Sequence, residues 1–208
     1  MFYPQAVAPG TLELLKKLMK LPALNQFALV GGTNLALRFG HRLSIDFDLF
    51  SDEPFEPEQI YANVRDAFPN TEFISSNQNM LFLFIENIKT DFVRLPFAYI
   101  QPVEVIEGIR LASAPDIVAM KLSAISQRGI KKDFWDIAEL LNYYSIEEML
   151  AMFQQKYGQR DILYVLRSLV YFEDAEPLRN PDALNNLSWQ QVKSKVQVAV
   201  KRYIEARA

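Results

Sequence analysis

The stretch GGTNLALRFGHRLSIDFDLF, running from Gly31 to Phe50, decides the fold. The apolar run at 27–30 just before it reads as a short buried strand, stopped by Gly31-Gly32. Residues 34–39 follow as a short helix. Gly40 ends that helix at a position where a left-handed backbone would crowd any larger residue. From Ser44 the pattern takes a period of two: Ile45, Phe47 and Leu49 alternate with Ser44, Asp46 and Asp48. A strand over 44–50 then turns its apolar side into a core and presents both aspartates on one surface.

On the N-terminal side, Pro9-Gly10 precede Thr11, a predicted N-cap, and Leu12, Leu15, Leu18 and Met19 recur at helical spacing. On the C-terminal side, Ser51-Asp52-Glu53-Pro54 reads as a turn and 57–68 as a helix entered by Pro57. Three strands follow at 71–75, 80–85 and 89–95, with turns at Asn77–Asn79 and Asn87. They form a β-meander rather than a parallel βαβ series. Beyond Gly108 the composition favours helices, at 115–127, 132–143, 146–157, 161–172 and 189–206. The organisational boundary is placed near Ser113.

With 208 residues, 50% of them apolar and 15 of them Phe, the chain can bury a sizeable core. A formal net charge of −3 argues against a uniformly basic nucleic-acid surface while leaving room for a local basic groove. There is no cysteine and only one histidine, His41, which excludes disulfides, thiolate nucleophiles and multi-histidine zinc sites. No apolar stretch reaches the length of a membrane span, and no basic region precedes an apolar signal core. The expectation is a soluble cytoplasmic protein.

The acidic strand suits phosphoryl chemistry. Magnesium prefers oxygen ligands, and divalent ions can bridge substrate phosphates and stabilise attacking and leaving oxygens. Asp46 and Asp48 can supply such ligands from one strand face, and Asp91, in Thr90-Asp91-Phe92-Val93, is the candidate third carboxylate. The same three residues also fit the wet side of an ordinary sheet. Gly31 and Gly32 let backbone amides approach a phosphate, with a Thr33 hydroxyl and a helix N-terminus beside them. They equally fit a tight structural turn. Arg42 and Ser44 are further nucleotide-contact candidates, Arg38 and Arg42 alternatively forming local ion pairs. Neither a Walker A loop nor a Gly-x-Gly-x-x-Gly fingerprint is present, which weakens ATPase and redox readings.

Downstream, Lys121 and Arg128 share one helical face over about two turns. Asp133 and Asp136 on the next helix can hold them through charge-assisted bonds. Alternatively Lys121 reaches a triphosphate while Asp136 organises the helical wall. Lys131 and Lys132 are candidate phosphate or nucleic-acid contacts. Tyr143, Tyr144, Tyr157, Tyr164, Tyr171 and Trp189 can stack on bases, or serve as core.

The whole constellation resembles the nucleotidyltransferase AbiEii/AbiGii toxin family. Its signature runs from Gly31-Gly32-Thr33 through Leu35, Arg38, Arg42 and Ser44 to Ile45-Asp46-Phe47-Asp48-Leu49. It continues through Asp91, Asp116-Ile117-Val118-Ala119-Met120-Lys121-Leu122, Arg128 and Lys132-Asp133-Phe134-Trp135-Asp136. The resemblance implies an α+β fold: a nucleotidyltransferase-like mixed sheet with flanking helices and a helical C-terminal half. Residues 1–112 form the catalytic region and 113–208 the helices completing the cleft. Asp46, Asp48 and Asp91 would match metal ligands for Mg2+, with Mn2+ as substitute, and Gly31, Gly32 and Ser44 the nucleotide pocket. Lys121 and Asp136 would match the downstream catalytic helices. The implied reaction moves a nucleoside monophosphate from an NTP to an acceptor hydroxyl on tRNA or protein and releases pyrophosphate. A toxin–antitoxin role with a cognate antitoxin is also implied. Two alternatives compete: a non-catalytic binding or scaffold protein on the same fold, and a phosphotransferase. The oligomeric state stays open.

Overall fold

Alternation in the central strands sorts side chains to the two faces of one mixed seven-stranded sheet. The computed structural model describes residues 2–207. In chain order the elements begin with α1 (Pro9–Leu18), β1 (Ala28–Leu29), α2 (Gly31–Phe39), β2 (Phe47–Ser51) and α3 (Pro57–Ala67). Then come β3 (Thr71–Asn77), β4 (Met80–Ile85), β5 (Ile88–Arg94), β6 (Glu104–Ile106) and β7 (Ile109–Leu111). Five helices complete the chain: α4 (Ala114–Gln127), α5 (Lys131–Leu140), α6 (Ile146–Tyr157), α7 (Ile162–Leu169) and α8 (Trp189–Glu205). The sheet order is β3-β4-β5-β2-β1-β7-β6. The predicted meander β3-β4-β5 is antiparallel, but β5 joins β2 in parallel and β7 joins β1 in parallel.

Phe47, Leu49, Phe92, Leu81 and Leu83 bury themselves on one face with α1 and α3. The opposite face carries Asp48, Phe50 and Asp91 toward the helical half, where Leu35, Phe134, Trp135 and Val196 anchor a second apolar cluster. Helix α2 runs between the two clusters, with Leu37 in the first and Leu35 in the second. The Asn34 side chain ties it to both neighbouring strand ends, donating to the carbonyls of Leu29 at 2.8 Å and Ala112 at 3.0 Å.

Several predicted elements shift. The strand predicted over 44–50 begins only at Phe47, and Ile45 is 58% exposed rather than core. The reason is in the backbone: Leu43 N–H donates to Asp182 and Ser44 N–H to Ala6, so the segment before Phe47 is pinned to loops instead of the sheet. Thr11 lies inside α1, whose N-cap is Ala8 and whose first residue is Pro9, a position that needs no N–H. Helix α2 starts at Gly31, earlier than predicted. The β6–β7 hairpin was not anticipated; Glu107 and Gly108, both at positive φ, make its turn. Among the described residues no helix is long and apolar enough to cross a membrane.

Candidate active site

The diglycine turn and the acidic strand meet at closest packing. Val30 N–H donates to the Asp48 carbonyl at 2.8 Å, which sets the end of β1 beside β2. Gly31 then adopts φ +67, and a Cβ there would lie 2.0 Å from Asp48 Oδ2. The carboxylate therefore rests against the Gly31 α-carbon, so glycine is required both by the backbone and by the space. Gly32 is constrained by space alone, because a Cβ would fall 2.0 Å from Arg42 Nη2. The first turn of α2 begins here and has no side-chain cap, leaving its positive end toward the carboxylate.

Across the β2–β5 pair, Asp48 stands directly opposite Asp91. Asp91 Oδ2 accepts from Lys89 Nζ at 2.6 Å, while its Oδ1 is buried with no donor among the described residues. Burial pushes the Asp48 carboxyl above the usual carboxylate range, and the Asp91 charge adds to the shift against Lys121 and Lys132. Asp46 sits one residue outside the strand. Its backbone carbonyl accepts from the buried Thr33 hydroxyl, whose oxygen in turn accepts from the Ser44 hydroxyl at 2.9 Å. Thr33 thus fastens the loop and has no accessible hydroxyl for a phosphate, contrary to its predicted nucleotide contact. The predicted acidic triad is not brought together: Asp48 and Asp91 face each other, while Asp46 lies before β2 and lines a different cavity. Among the described residues no group of three or more acidic or histidine side chains is placed to hold a metal ion.

Lys121, on α4, faces this pair but is gripped from behind. Its ammonium contacts Asp133 at 2.9 Å and Asp136 at 2.6 Å. Asp136 is fully buried and also receives a forked bond from Arg42, at 2.7 and 3.0 Å, and a 2.7 Å contact from His41 Nε2. Burial opposes ionisation of Asp136, yet the Arg42 and Lys121 charges outweigh it and hold the carboxyl well below its usual range. Lys121 is raised for the reciprocal reason: burial opposes its charge, and Asp133 and Asp136 overcome it. Asp136, predicted to be catalytic, is thus fully buried with both oxygens engaged by His41, Arg42 and Lys121, and opens onto neither of the cavities that flank the strand. Arg42 is likewise committed, to Asp136 and to the Leu43 carbonyl, so it is not a free phosphate contact.

Two cavities flank the strand. One, of about 260 Å3, is lined by Gly31, Asp48, Lys121, Gln127, Arg128 and Tyr157. The other, of about 830 Å3, opens on the Asp46 side and is lined by Ser44, Asp46, Lys132 and Arg179. Lys132 is exposed, has no carboxylate partner among the described residues, and lies close enough to Asp48 to favour its ionised form. It is the accessible cation that the sequence offered together with Lys131 without placing it at the site; the two open α5, and only the fold shows that Lys131 is buried and Lys132 exposed. Lys131 instead donates to the carbonyls of Glu176 and Leu178.

The profile of the family described as nucleotidyl transferase AbiEii toxin, type IV TA system, matches residues 13–99 and 82–202. The uncharacterised protein aq_aa25 of Aquifex aeolicus is 33% identical over 199 residues, covering 93% of this chain and 95% of its own. Among solved structures, JHP933 from Helicobacter pylori shares the fold at 17% identity and TM-score 0.52, covering 97% of this chain and 96% of its own. MenT4, a nucleotidyltransferase toxin of Mycobacterium tuberculosis, shares it at 15% identity and TM-score 0.55, covering 90% and 82%. The family profile spans most of the chain. The chain belongs to the AbiEii nucleotidyl transferase toxin family.

Proposed function

We propose that the protein transfers a nucleoside monophosphate from an NTP to an acceptor hydroxyl and releases pyrophosphate. The observation that carries this reading is the facing pair of Asp48 and Asp91 beside Lys121 and the Gly31 turn. The pair fits a hard divalent cation. Asp91 Oδ1 is buried without a donor among the described residues, and burial, with the Asp91 charge adding to it, holds the Asp48 carboxyl above its usual range. Asp48 and Asp91 would hold Mg2+ or Mn2+, and Asp46 would have to move toward them to add a third oxygen. When bound, such an ion supplies Lewis acidity toward the phosphates and the attacking oxygen.

The chain's own groups set the rest. The larger cavity receives the nucleotide, with Lys132 meeting its phosphates on the side toward Asp48. The smaller cavity receives the acceptor hydroxyl next to Asp48. The acceptor oxygen forms a bond to the α-phosphorus as the bond to the pyrophosphate oxygen breaks. The electron pair leaves with pyrophosphate, and the hydroxyl proton passes to Asp91. Lys121, held fixed by Asp133 and Asp136, balances the acidic pair without needing to reorient.

The acceptor is tRNA or protein, and the setting is a cytoplasmic toxin neutralised by a cognate antitoxin; family membership supports this role. The test is a mass-resolved incubation with a full set of NTPs, Mg2+ or Mn2+, and a mixed tRNA and protein pool. Gain of an NMP mass that disappears in Asp48→Asn supports the reading. Gain of a phosphate alone would indicate phosphotransfer, and no mass gain with any pool would leave a binding protein on this fold.

A further inference from the structure

The period-two pattern that opens at Ser44 outruns the strand it predicts. Ile45 is in phase with Phe47 and Leu49, yet it is exposed and lines the larger cavity beside Asp46. Strand β5 has the matching surplus. It pairs with β2 only from Thr90 onward, so Ile88 and Lys89 meet β4 on one side and no residue of β2 on the other. Carried back two residues, the same parallel register sets Asp46 opposite Lys89 and Ile45 opposite Ile88. Both pairings are matched in chemistry. Ile88 already packs against the cluster that holds Phe47 and Leu49. Lys89 shares the face of Asp91, whose Oδ2 it holds at 2.6 Å. Half of the backbone is already in place. The Asp48 carbonyl points toward β1, where Val30 N–H donates to it, and the Asp46 carbonyl accepts from Thr33 on that same side. The Ile45 N–H has no partner among the described residues, and the anchored N–H groups of Leu43 and Ser44 lie before it in the chain.

We infer that Ile45 and Asp46 close onto Ile88 and Lys89, lengthening β2 by two residues and carrying Asp46 onto the face of Asp48 and Asp91. The hinge is at Ser44–Ile45, so the bonds of Leu43 to Asp182 and of Ser44 to Ala6 persist. Ile45 leaves water for the apolar side of the sheet, which favours closure. Asp46 arrives beside Lys89 and shares its ammonium, which loosens the hold on Asp91 Oδ2. Bringing a third carboxylate beside two others is opposed by their charge, and a divalent cation reverses the sign of that opposition. Closure and cation binding therefore favour each other by the same factor. Ile45, Ile88 and Lys89 are thus positioning residues that act through Asp46. The extension rests on strand pairing alone; only its link to the cation rests on the nucleotidyl-transfer reading.

The chain has no cysteine, so I45C/I88C contains a single possible disulfide within the molecule. Directly opposed residues of paired strands lie within the separation a disulfide needs. The full-length variant is oxidised with glutathione disulfide, with and without Mn2+ and a mixture of the four NTPs. Intact mass and free thiols report the crosslink, and electron paramagnetic resonance of free Mn2+ reports its affinity for the trapped and the reduced protein. The crosslink is expected to form, and to form faster with Mn2+ and NTPs. The trapped form should bind Mn2+ about tenfold more tightly than the same protein after reduction, because the closed population is fixed in advance. Adding D46N should remove that gain. No crosslink in the presence of Mn2+ and NTPs, or equal Mn2+ affinity of the trapped and reduced forms, overturns the inference. If I45C/I88C lacks a thermal transition, hydrogen exchange of the Ile45 amide in the unaltered protein decides. Slower exchange with Mn2+ and NTPs supports closure, and unchanged exchange overturns it. Tighter Mn2+ binding by the trapped form, beside no NMP transfer by the unaltered protein, would sink the chemistry and leave the closure standing. NMP transfer by the unaltered protein, with no crosslink and an unprotected Ile45 amide, would do the reverse.

Discussion

At the scale of single residues, Asp48 carries opposite demands of stability and chemistry. Its carboxyl is raised in the fold by burial and by Asp91, so it favours the folded state when protonated, and that contribution is lost as pH rises through the folded value. Asp48→Asn is therefore expected to abolish turnover while leaving the melting temperature in metal-free buffer unchanged or higher near neutral pH. Calorimetry beside the mass-resolved assay checks both, and a large drop in stability would contradict the proposed strain. Gly31→Ala should fail differently. A Cβ 2.0 Å from Asp48 Oδ2 at φ +67 costs about 1–2 kcal/mol in backbone strain alone and displaces the carboxylate, so denaturant midpoint and turnover should fall together. Asp136 has the reverse sign from Asp48. Its depressed carboxyl stabilises the fold above the ordinary carboxylate value of about 3.9 and that stability is lost as pH falls through the lower folded value. Asp136→Ala leaves Arg42 and Lys121 buried with a partner missing and should cost about 3–5 kcal/mol at neutral pH. The variant should also show a flatter loss of stability on acidification, readable as urea midpoints across pH.

At the scale of elements, what could be read in advance divides by how local its cause is. Helix α6 was legible to the residue because Ser145 and Glu148 form a reciprocal capping box and Gly158 closes the other end. Strand β4 was legible because its apolar run is bounded by turn residues. The start of β2 was not, because Ser44 and Ile45 have the right alternation but the backbone around them is held elsewhere, Leu43 N–H by Asp182 and Ser44 N–H by Ala6, one of them far along the chain. Strands β6 and β7 escaped notice because each is only three residues long, although Glu107-Gly108 is a turn signal. The site shows the same division. Asp46, Asp48 and Gly31 were visible as a pattern, and the register bringing Asp91 opposite Asp48 belongs to a parallel pairing that spacing cannot specify. The burial of Asp136 was equally hidden, since an i,i+3 aspartate pair looks alike on a wet helix and under an adjoining layer. That layer is held partly by α8, whose first residue, Trp189, stacks on Trp135 at 5.6 Å and meets Phe134 and Phe172 edge-on. Trp189→Ala should cost about 2–4 kcal/mol. It should also loosen the Leu178–Asp182 loop that walls the larger cavity, proposed above to take the nucleotide, because Lys131 lies over the Trp189 ring while donating to that loop. Weaker NTP binding at temperatures where the fold persists is the readout.

At the scale of the whole molecule, the sheet and the helical half are joined through groups that neither could satisfy alone. Helix α2 belongs to the first half by sequence, yet it buries Leu35 among the helices and Leu37 among the strands. Arg42 and His41, from the loop after α2, share Asp136 of α5. The Ala183 bridge to Arg42 and the Leu184 N–H bond to the His41 carbonyl return the chain from the far end. Cutting between the halves would strand Arg42 and Asp136 as unpaired buried charges and open apolar surface on both sides. The chain should consequently unfold in one transition. The two tryptophans, Trp135 and Trp189, both report the helical half, whereas far-UV circular dichroism reports sheet and helices together. Coincident urea midpoints by fluorescence and dichroism are expected for the intact protein. In Asp136→Ala the same probes should separate, fluorescence changing first, because the ionic bracket between the halves is gone while the sheet cluster of Phe47, Leu49 and Phe92 is untouched. Coincidence in that variant would mean that α2 alone couples the halves, and separation in the parent would mean that the bracket serves the site and not the fold.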